Sequence, residues 1–264
     1  MRREDFQFMY RGKVQSELQV ENVDLLQPIR RMGEGRTRAL LLLHGFSSSP
    51  AVYRHMTAIF AGYDAVFCPV LPGHGDSVEV FSQVKKTAWL TAAETACAEL
   101  CKTFEYVDVL GLSLGGLLAC HLSARFPLNH LYLLAPALAL YSPLALILST
   151  ARVMYKLGLR HIRNRAGSIY TQGEAELAYR QLPISTAIEL LTLIKTFPFQ
   201  LPTCPTDVFL GRFDHVVDGS LIAKRFANQP HIHVHWLAHS AHVLPLDGDV
   251  RFIEEVVMQH NHSL

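Results

Sequence analysis

A serine, an aspartate and a histidine of this chain have the types and order needed for nucleophilic chemistry. The serine is Ser113, in "GLSLGG" (111–116), which follows the apolar run "YVDVL" and precedes "LLACHLSARF". This is Gly-x-Ser-x-Gly between a predicted strand and a predicted helix. So sharp a turn puts the serine in a strained backbone conformation and forbids side chains two residues away, hence Gly111 and Gly115. It would expose the hydroxyl at a sheet edge, beside helix N-terminal amides that favour negative charge. The plainer reading is a glycine-rich turn with a capping serine.

A serine hydroxyl needs a base to take its proton. "HIHVHWLAHSAHVLPLD" (231–247) supplies candidates. His231, His233 and His235 alternate with apolar residues and share one face of a strand. Such spacing could bind metal, but a polar strand face explains it more simply. His239 and His242 follow on the loop. His242, leading through Val-Leu-Pro into the last helix, is assigned as the base, with His239 as its competitor. The base needs an acid to hold its tautomer. In "FLGRFDHVVD" (209–218), Asp214 lies just past a predicted strand and takes that role, whereas Asp218 reads as the cap of the helix "GSLIAKRF".

The elements that must position these residues are short apolar runs alternating with helical patterns. The runs are 39–44, 65–70, 106–111, 131–136, 206–211 and 231–236, most of them buried on both faces as central parallel strands are. Helices are predicted over 87–104, starting at a Thr87 cap, over 114–125 and over 246–259. Alternation of this kind predicts an α/β fold with a mostly parallel sheet flanked by helices. The first 35 residues, with "FQFMY" and "ELQVENV", suggest a leading antiparallel hairpin. Between residues 135 and 206 no strand is evident, only an apolar stretch, a basic stretch (151–165) and the amphipathic run 183–197. A helical insertion is expected there: core over 1–136, a helical cap or lid over 137–203, and core again over 204–264. Insertions at strand ends commonly cover binding sites.

The 264 residues, 50% hydrophobic, suit one large domain carrying an insertion. With 24 basic and 23 acidic residues the net charge is +1, which gives no signal for nucleic acid. The five cysteines, Cys68, Cys97, Cys101, Cys120 and Cys204, are odd in number and lack disulfide-framework spacing, which fits a reducing, cytoplasmic setting. Cys97 and Cys101 alone do not complete a zinc site, so no metal is expected. The N-terminal "MRREDFQFMYRGK" has no apolar core of a secretory signal. Residues 131–151 carry no charge and approach the ~20 residues of a membrane span, but Pro136 and Pro143 make a strand, a break and an apolar helix the better reading.

Taken together, "HGF" (44–46), "PGHG" (72–75), "GLSLGG", "GRFDHVVD" and "HSAHVLPLD" resemble the serine α/β-hydrolases, most closely bacterial carboxylesterases and monoacylglycerol lipases with a small helical cap. The resemblance spans residues 36–259 and is weakest in the insertion. The order Ser113, Asp214, His242 is that of the fold. The resemblance implies oxyanion-hole amides at the residue after His-Gly and the residue after the nucleophile, here Phe46 and Leu114. It also implies an acyl-enzyme mechanism on carboxylic esters, short- to medium-chain acyl esters or monoacylglycerols, with no cofactor. Thioester, carbon–carbon bond and lysophospholipid hydrolysis stay open, since the same triad serves them, as does a non-catalytic protein of this fold. Ala241 stands where many relatives carry glycine. His44 and His74 are expected to be structural. The basic stretch (Arg152, Lys156, Arg160, Arg163, Arg165) beside an apolar segment suits weak contact with an anionic membrane surface, although a solvated helix face is the plainer reading. Nothing in the sequence specifies an oligomeric state.

Overall fold

The apolar runs become the strands of one sheet in a computed structural model that describes residues 2–261. In chain order the strands are β1 (Phe6–Tyr10), β2 (Lys13–Glu17), β3 (Ile29–Met32), β4 (Arg38–Leu43), β5 (Ala65–Cys68), β6 (Tyr106–Leu112), β7 (His130–Leu134), β8 (His161–Arg163), β9 (Glu176–Tyr179), β10 (Gln181–Pro183), β11 (Thr206–Gly211) and β12 (Ile232–Leu237). The helices are α1 (Val78–Phe81), α2 (Lys86–Thr103), α3 (Leu114–Ser123), α4 (Leu144–Lys156), α5 (Ile184–Thr196), α6 (Gly219–Phe226) and α7 (Val250–Asn261).

Seven strands form the main sheet in the order β12-β11-β7-β6-β4-β5-β3, every pair parallel except β3 with β5. β4, β7 and β11 are buried at every residue, as expected of strands covered on both faces. α3 packs on β4, β6 and β7, and α2 packs on α3 and β4. From β4 the chain goes to β5 on one side, then returns past β4 to β6 on the other. The carboxyl ends of β4 and β6 therefore flank the point where strand order reverses, where a crevice opens in sheets of this kind.

The structure departs from the sequence-based expectations in several places, and the first is β3, a main-sheet strand inside the first 35 residues, where only a hairpin is expected from sequence. The leading hairpin forms, as β1 and β2, but "ELQVENV" is mostly a 3-10 helix over Val20–Leu26. That hairpin leaves the main sheet and pairs instead with β9, giving a separate three-stranded antiparallel sheet, β2-β1-β9. The stretch where no strand was evident contains β8, β9 and β10 besides α4 and α5, because strands of three or four residues leave little periodicity to read. Thr87 does not cap α2. The helix starts at Lys86, whose amide donates to the Glu189 carboxylate of α5 at 3.2 Å, a cap supplied by tertiary contact. Asp218 does cap α6, accepting from the Leu221 amide at 2.9 Å. Among the described residues no helix is long and apolar enough to cross a membrane, and residues 131–151 hold the end of β7, a break and the start of α4.

Candidate active site

Ser113 stands between β6 and α3 with φ 54° and ψ −110°, outside the regions that side-chain-bearing residues favour. Its neighbours enforce this. A Cβ on Gly111 would lie 2.3 Å from the Gly115 carbonyl oxygen, and one on Gly115 would lie 1.9 Å from that of Leu43. The Ser113 amide donates to the Leu134 carbonyl and its own carbonyl accepts from Ala137, both at 2.9 Å, so the end of β7 pins the turn on each side. The hydroxyl is thereby held half-buried at the carboxyl end of β6.

Asp214 follows β11 and His242 follows β12, and the fold brings them together: His242 Nδ1 lies 2.7 Å from Asp214 Oδ2. The other oxygen of Asp214 accepts from the amides of Val216 (2.7 Å) and Val217 (3.0 Å). Burial works against the charge on Asp214, but the His242 charge, its hydrogen bond and those two amides outweigh it and hold the carboxyl below its ordinary range. An ionised carboxylate only accepts, so the His242 proton sits on Nδ1 and Nε2 is left with its lone pair. Burial alone would lower the imidazole; the Asp214 charge and hydrogen bond more than reverse this and raise its pKa. His239 is on the wrong side of the loop: its side chain is 71% exposed and faces Asp249.

The "HGF" loop is held by two buried histidines. His44 Nε2 accepts from the Leu71 amide at 3.0 Å, and His74 Nε2 accepts from the Ser47 amide at 3.1 Å. A ring accepting at Nε2 is neutral with its proton on Nδ1, and Nδ1 of His44 faces the Gly45 carbonyl at 2.9 Å. Both rings are thus structural. The Phe46 ring packs against Phe81 and Trp89 at centroid distances of 5.4 and 5.8 Å, which anchors the loop. Among the described residues the Phe46 and Leu114 amides donate to no backbone carbonyl. Burial pushes the His44 pKa down to about 4 from an ordinary 6.5. The unfolded chain therefore binds a proton near pH 6.5 that the folded chain refuses until about pH 4. Stability should fall across that window by something on the order of 3 kcal/mol from this ring alone. In urea titrations at stepped pH, the stability advantage of wild type over His44→Gln should shrink as pH falls; a constant difference would refute it.

Ser113 and His242 line one cavity of about 860 Å³ together with Gly45 and Phe46. Its apolar wall includes Leu140, Leu182, Leu190, Ile194 and Val216. Much of the lining comes from 137–203, and the turn between β1 and β2 reaches it as well. Two acids were not anticipated. Asp247 accepts from the Ala241 and Tyr170 amides on one oxygen (2.8 and 2.7 Å) and from the Thr171 amide and hydroxyl on the other (both 2.8 Å). It ties the His242 loop to the insertion, and Ser168 O accepts from both His242 and Val243 amides at 3.0 Å. Asp247 ends the motif "HSAHVLPLD", but nothing in the motif says what it would bind. Glu176, on β9, is buried beside the cavity and accepts from the Gly167 amide at 2.7 Å; burial pushes its pKa up. Ala241 is buried without a left-handed φ, so the loop does not need glycine at that position.

The alternating histidines do not converge. His231 precedes β12 and bonds the Pro202 carbonyl, His233 is exposed, and His235 bonds Asp207 at 2.6 Å. Asp207 also takes His130 at 2.7 Å, and with His260 these put ligand-type atoms within 4.8 Å of one another at the amino ends of β7 and β11, remote from Ser113.

The chain is similar in sequence and fold to known lipolytic proteins. A thermostable monoacylglycerol lipase of Bacillus sp. (strain H-257) is 27% identical over 82% of this chain and 87% of its own length. A carboxylesterase of Bacillus subtilis (strain 168) is 24% identical over 88% of this chain and 95% of its own. A solved structure from work on LipS and LipT, two metagenome-derived lipolytic enzymes, superposes with a TM-score of 0.80 at 26% identity, covering 90% of this chain and 98% of that one. Residues 40–255 match the alpha/beta hydrolase family, and with most of its length inside that match the chain belongs to it.

Proposed function

We propose that this chain hydrolyses carboxylic esters of apolar acyl groups, short- to medium-chain acyl esters or monoacylglycerols, through an acyl-enzyme on Ser113. The observation that carries this reading is the meeting of the strained Ser113 turn and the His242–Asp214 pair at one apolar-walled cavity. Ser113 Oγ attacks the ester carbonyl while His242 Nε2 takes its proton. The amides of Phe46 and Leu114 hold the developing oxyanion, and each such donor contributes about 10²–10³ in turnover. His242 then gives the proton to the departing alcohol, and the ester C–O bond breaks. Water, deprotonated by the same ring, releases the acid and restores Ser113. Residues 137–203 serve as the cap, contributing Leu182, Leu190 and Ile194 as a wall for the acyl chain. The named activities of the two Bacillus proteins favour esters over thioesters or carbon–carbon bonds. Kinetics on matched p-nitrophenyl esters, acyl-CoAs and vinylogous diketones test that preference; turnover of the latter two alone would overturn it. Five free cysteines fit a reducing, cytoplasmic setting.

α4 supports weak lipid contact: Leu146, Val153 and Leu157 are exposed beside Arg152 and Lys156. Co-sedimentation with anionic vesicles should exceed that with zwitterionic ones and fall with added salt. Binding that ignores both lipid charge and salt would end this reading.

A further inference from the structure

Four cations line the same cavity as Ser113: Arg11, Lys13, Arg163 and Arg165. They come from two segments distant in sequence, the β1–β2 turn with the start of β2, and the end of β8 with the residues just after it. Backbone bonds lock the two together. The Arg11 amide donates to Gly167 O at 2.6 Å and the Gly12 amide to Ala166 O at 2.9 Å, while Arg163 Nη2 donates to Gly12 O at 3.3 Å. Arg11 and Gly12 both have positive φ, 48° and 71°, the two-residue turn that matches hairpin twist. A Cβ on Gly12 would lie 3.4 Å from Arg165 Cβ, so the base of that side chain rests against the turn. The fold holds these four exposed cations together through bonds between two segments distant in sequence.

Its charge is not compensated from within the protein. None of the four forms an ion pair among the described residues. Arg11 donates only to neutral carbonyls, those of Ile169 and Tyr170. The one acid lining the cavity, Glu176, is buried, already accepts from the Gly167 amide and makes no ion pair with any of the four. Like charges held together repel, and an anion among them relieves that repulsion. Guanidinium forks suit phosphate in particular. Apolar side chains line the same cavity, among them Leu140, Leu190 and Ile194.

We propose that Arg11, Lys13, Arg163 and Arg165 form an anion subsite, and that the substrate is an acyl ester carrying a phosphate on its alcohol portion. The acyl chain lies along Leu182, Leu190 and Ile194, the ester carbonyl meets Ser113, and the phosphate is held by the four cations. This inference rests on the ester-hydrolase reading and adds substrate class to it.

The test compares kcat/KM for 1-lauroylglycerol and 1-lauroylglycerol 3-phosphate, both below their micellar concentrations, using the full chain. At low salt the phosphate ester should be preferred by about tenfold or more, a difference of ~1.4 kcal/mol. The preference should collapse near ~0.5 M salt, where screening is strong. It should fall toward unity in the double variant Lys13→Gln, Arg165→Gln and return in Lys13→Arg, Arg165→Lys. Equal kcat/KM for the two esters in wild type, or a preference indifferent to salt and to both variants, overturns the subsite while leaving ester hydrolysis intact. If neither ester is turned over, the ester reading fails separately, and binding then decides the subsite. Dodecyl phosphate should bind Ser113→Ala more tightly than dodecanol does, by about tenfold, in calorimetric titration; equal affinities overturn it.

Discussion

Ser113→Ala should abolish hydrolysis of p-nitrophenyl esters, lowering kcat by roughly 10⁵–10⁶, and should abolish labelling by a fluorophosphonate probe. The substitution removes the attacking oxygen and almost nothing else. Alanine keeps a Cβ, so the backbone at φ 54° and ψ −110° carries the same strain before and after, and the turn is still pinned by Leu134 and Ala137. The melting temperature should therefore hardly move, which separates lost chemistry from lost folding. The other serines near the cavity provide the contrast. Ser48 and Ser49 are buried in the loop after Phe46, and no histidine bonds to either hydroxyl among the described residues. Ser48→Ala and Ser49→Ala should both keep the label. A Ser113→Ala protein that still takes up the probe would sink the assignment of the nucleophile.

Asp214→Asn should lower kcat by about 10⁴ and move the pH dependence of what remains to lower pH. The geometry gives the reason. Oδ1 of Asp214 accepts from the amides of Val216 and Val217, so an asparagine keeps its carbonyl oxygen there and turns its NH₂ toward His242 Nδ1. A donor facing Nδ1 forces the imidazole proton onto Nε2, where it faces the serine and cannot accept the serine's proton. In wild type, the charge and hydrogen bond of Asp214 raise His242 above its ordinary value despite burial. The base works only when neutral, so kcat/KM should rise with pH through a midpoint above ~6.5, the usual histidine value. Without the Asp214 charge, burial prevails and the midpoint drops. A variant whose midpoint stays where it is in wild type would show that Asp214 does not set the basicity of His242.

Both predictions use residues that could be read before any fold was known, and the reason is local. The Ser113 turn needs glycine two residues to either side, and that requirement is written in "GLSLG". Asp214 follows β11, which is buried at every residue, and such strands are the most legible elements of a sequence of this kind; β12, before His242, buries only its ends and is legible from its alternating Ile, Val and Trp. The helix limits were less legible: α2 begins where it does because Glu189, far along the chain, supplies the cap that Thr87 was expected to supply.

The sequence by itself determined the α/β class, six of the seven strands of the main sheet (all but β3) and the three residues proposed for the chemistry, because each rests on contacts within a few neighbours or on the burial of one short run. Only the tertiary structure decided that the N-terminal hairpin joins β9 and not the main sheet, that Asp247 binds the His242 loop to the insertion, and that Arg11 and Lys13 meet Arg163 and Arg165 at one opening. A strand edge accepts whichever strand the rest of the fold leaves beside it. A charge looks the same in a sequence whether its surroundings are water, a backbone amide or three more charges of its own sign.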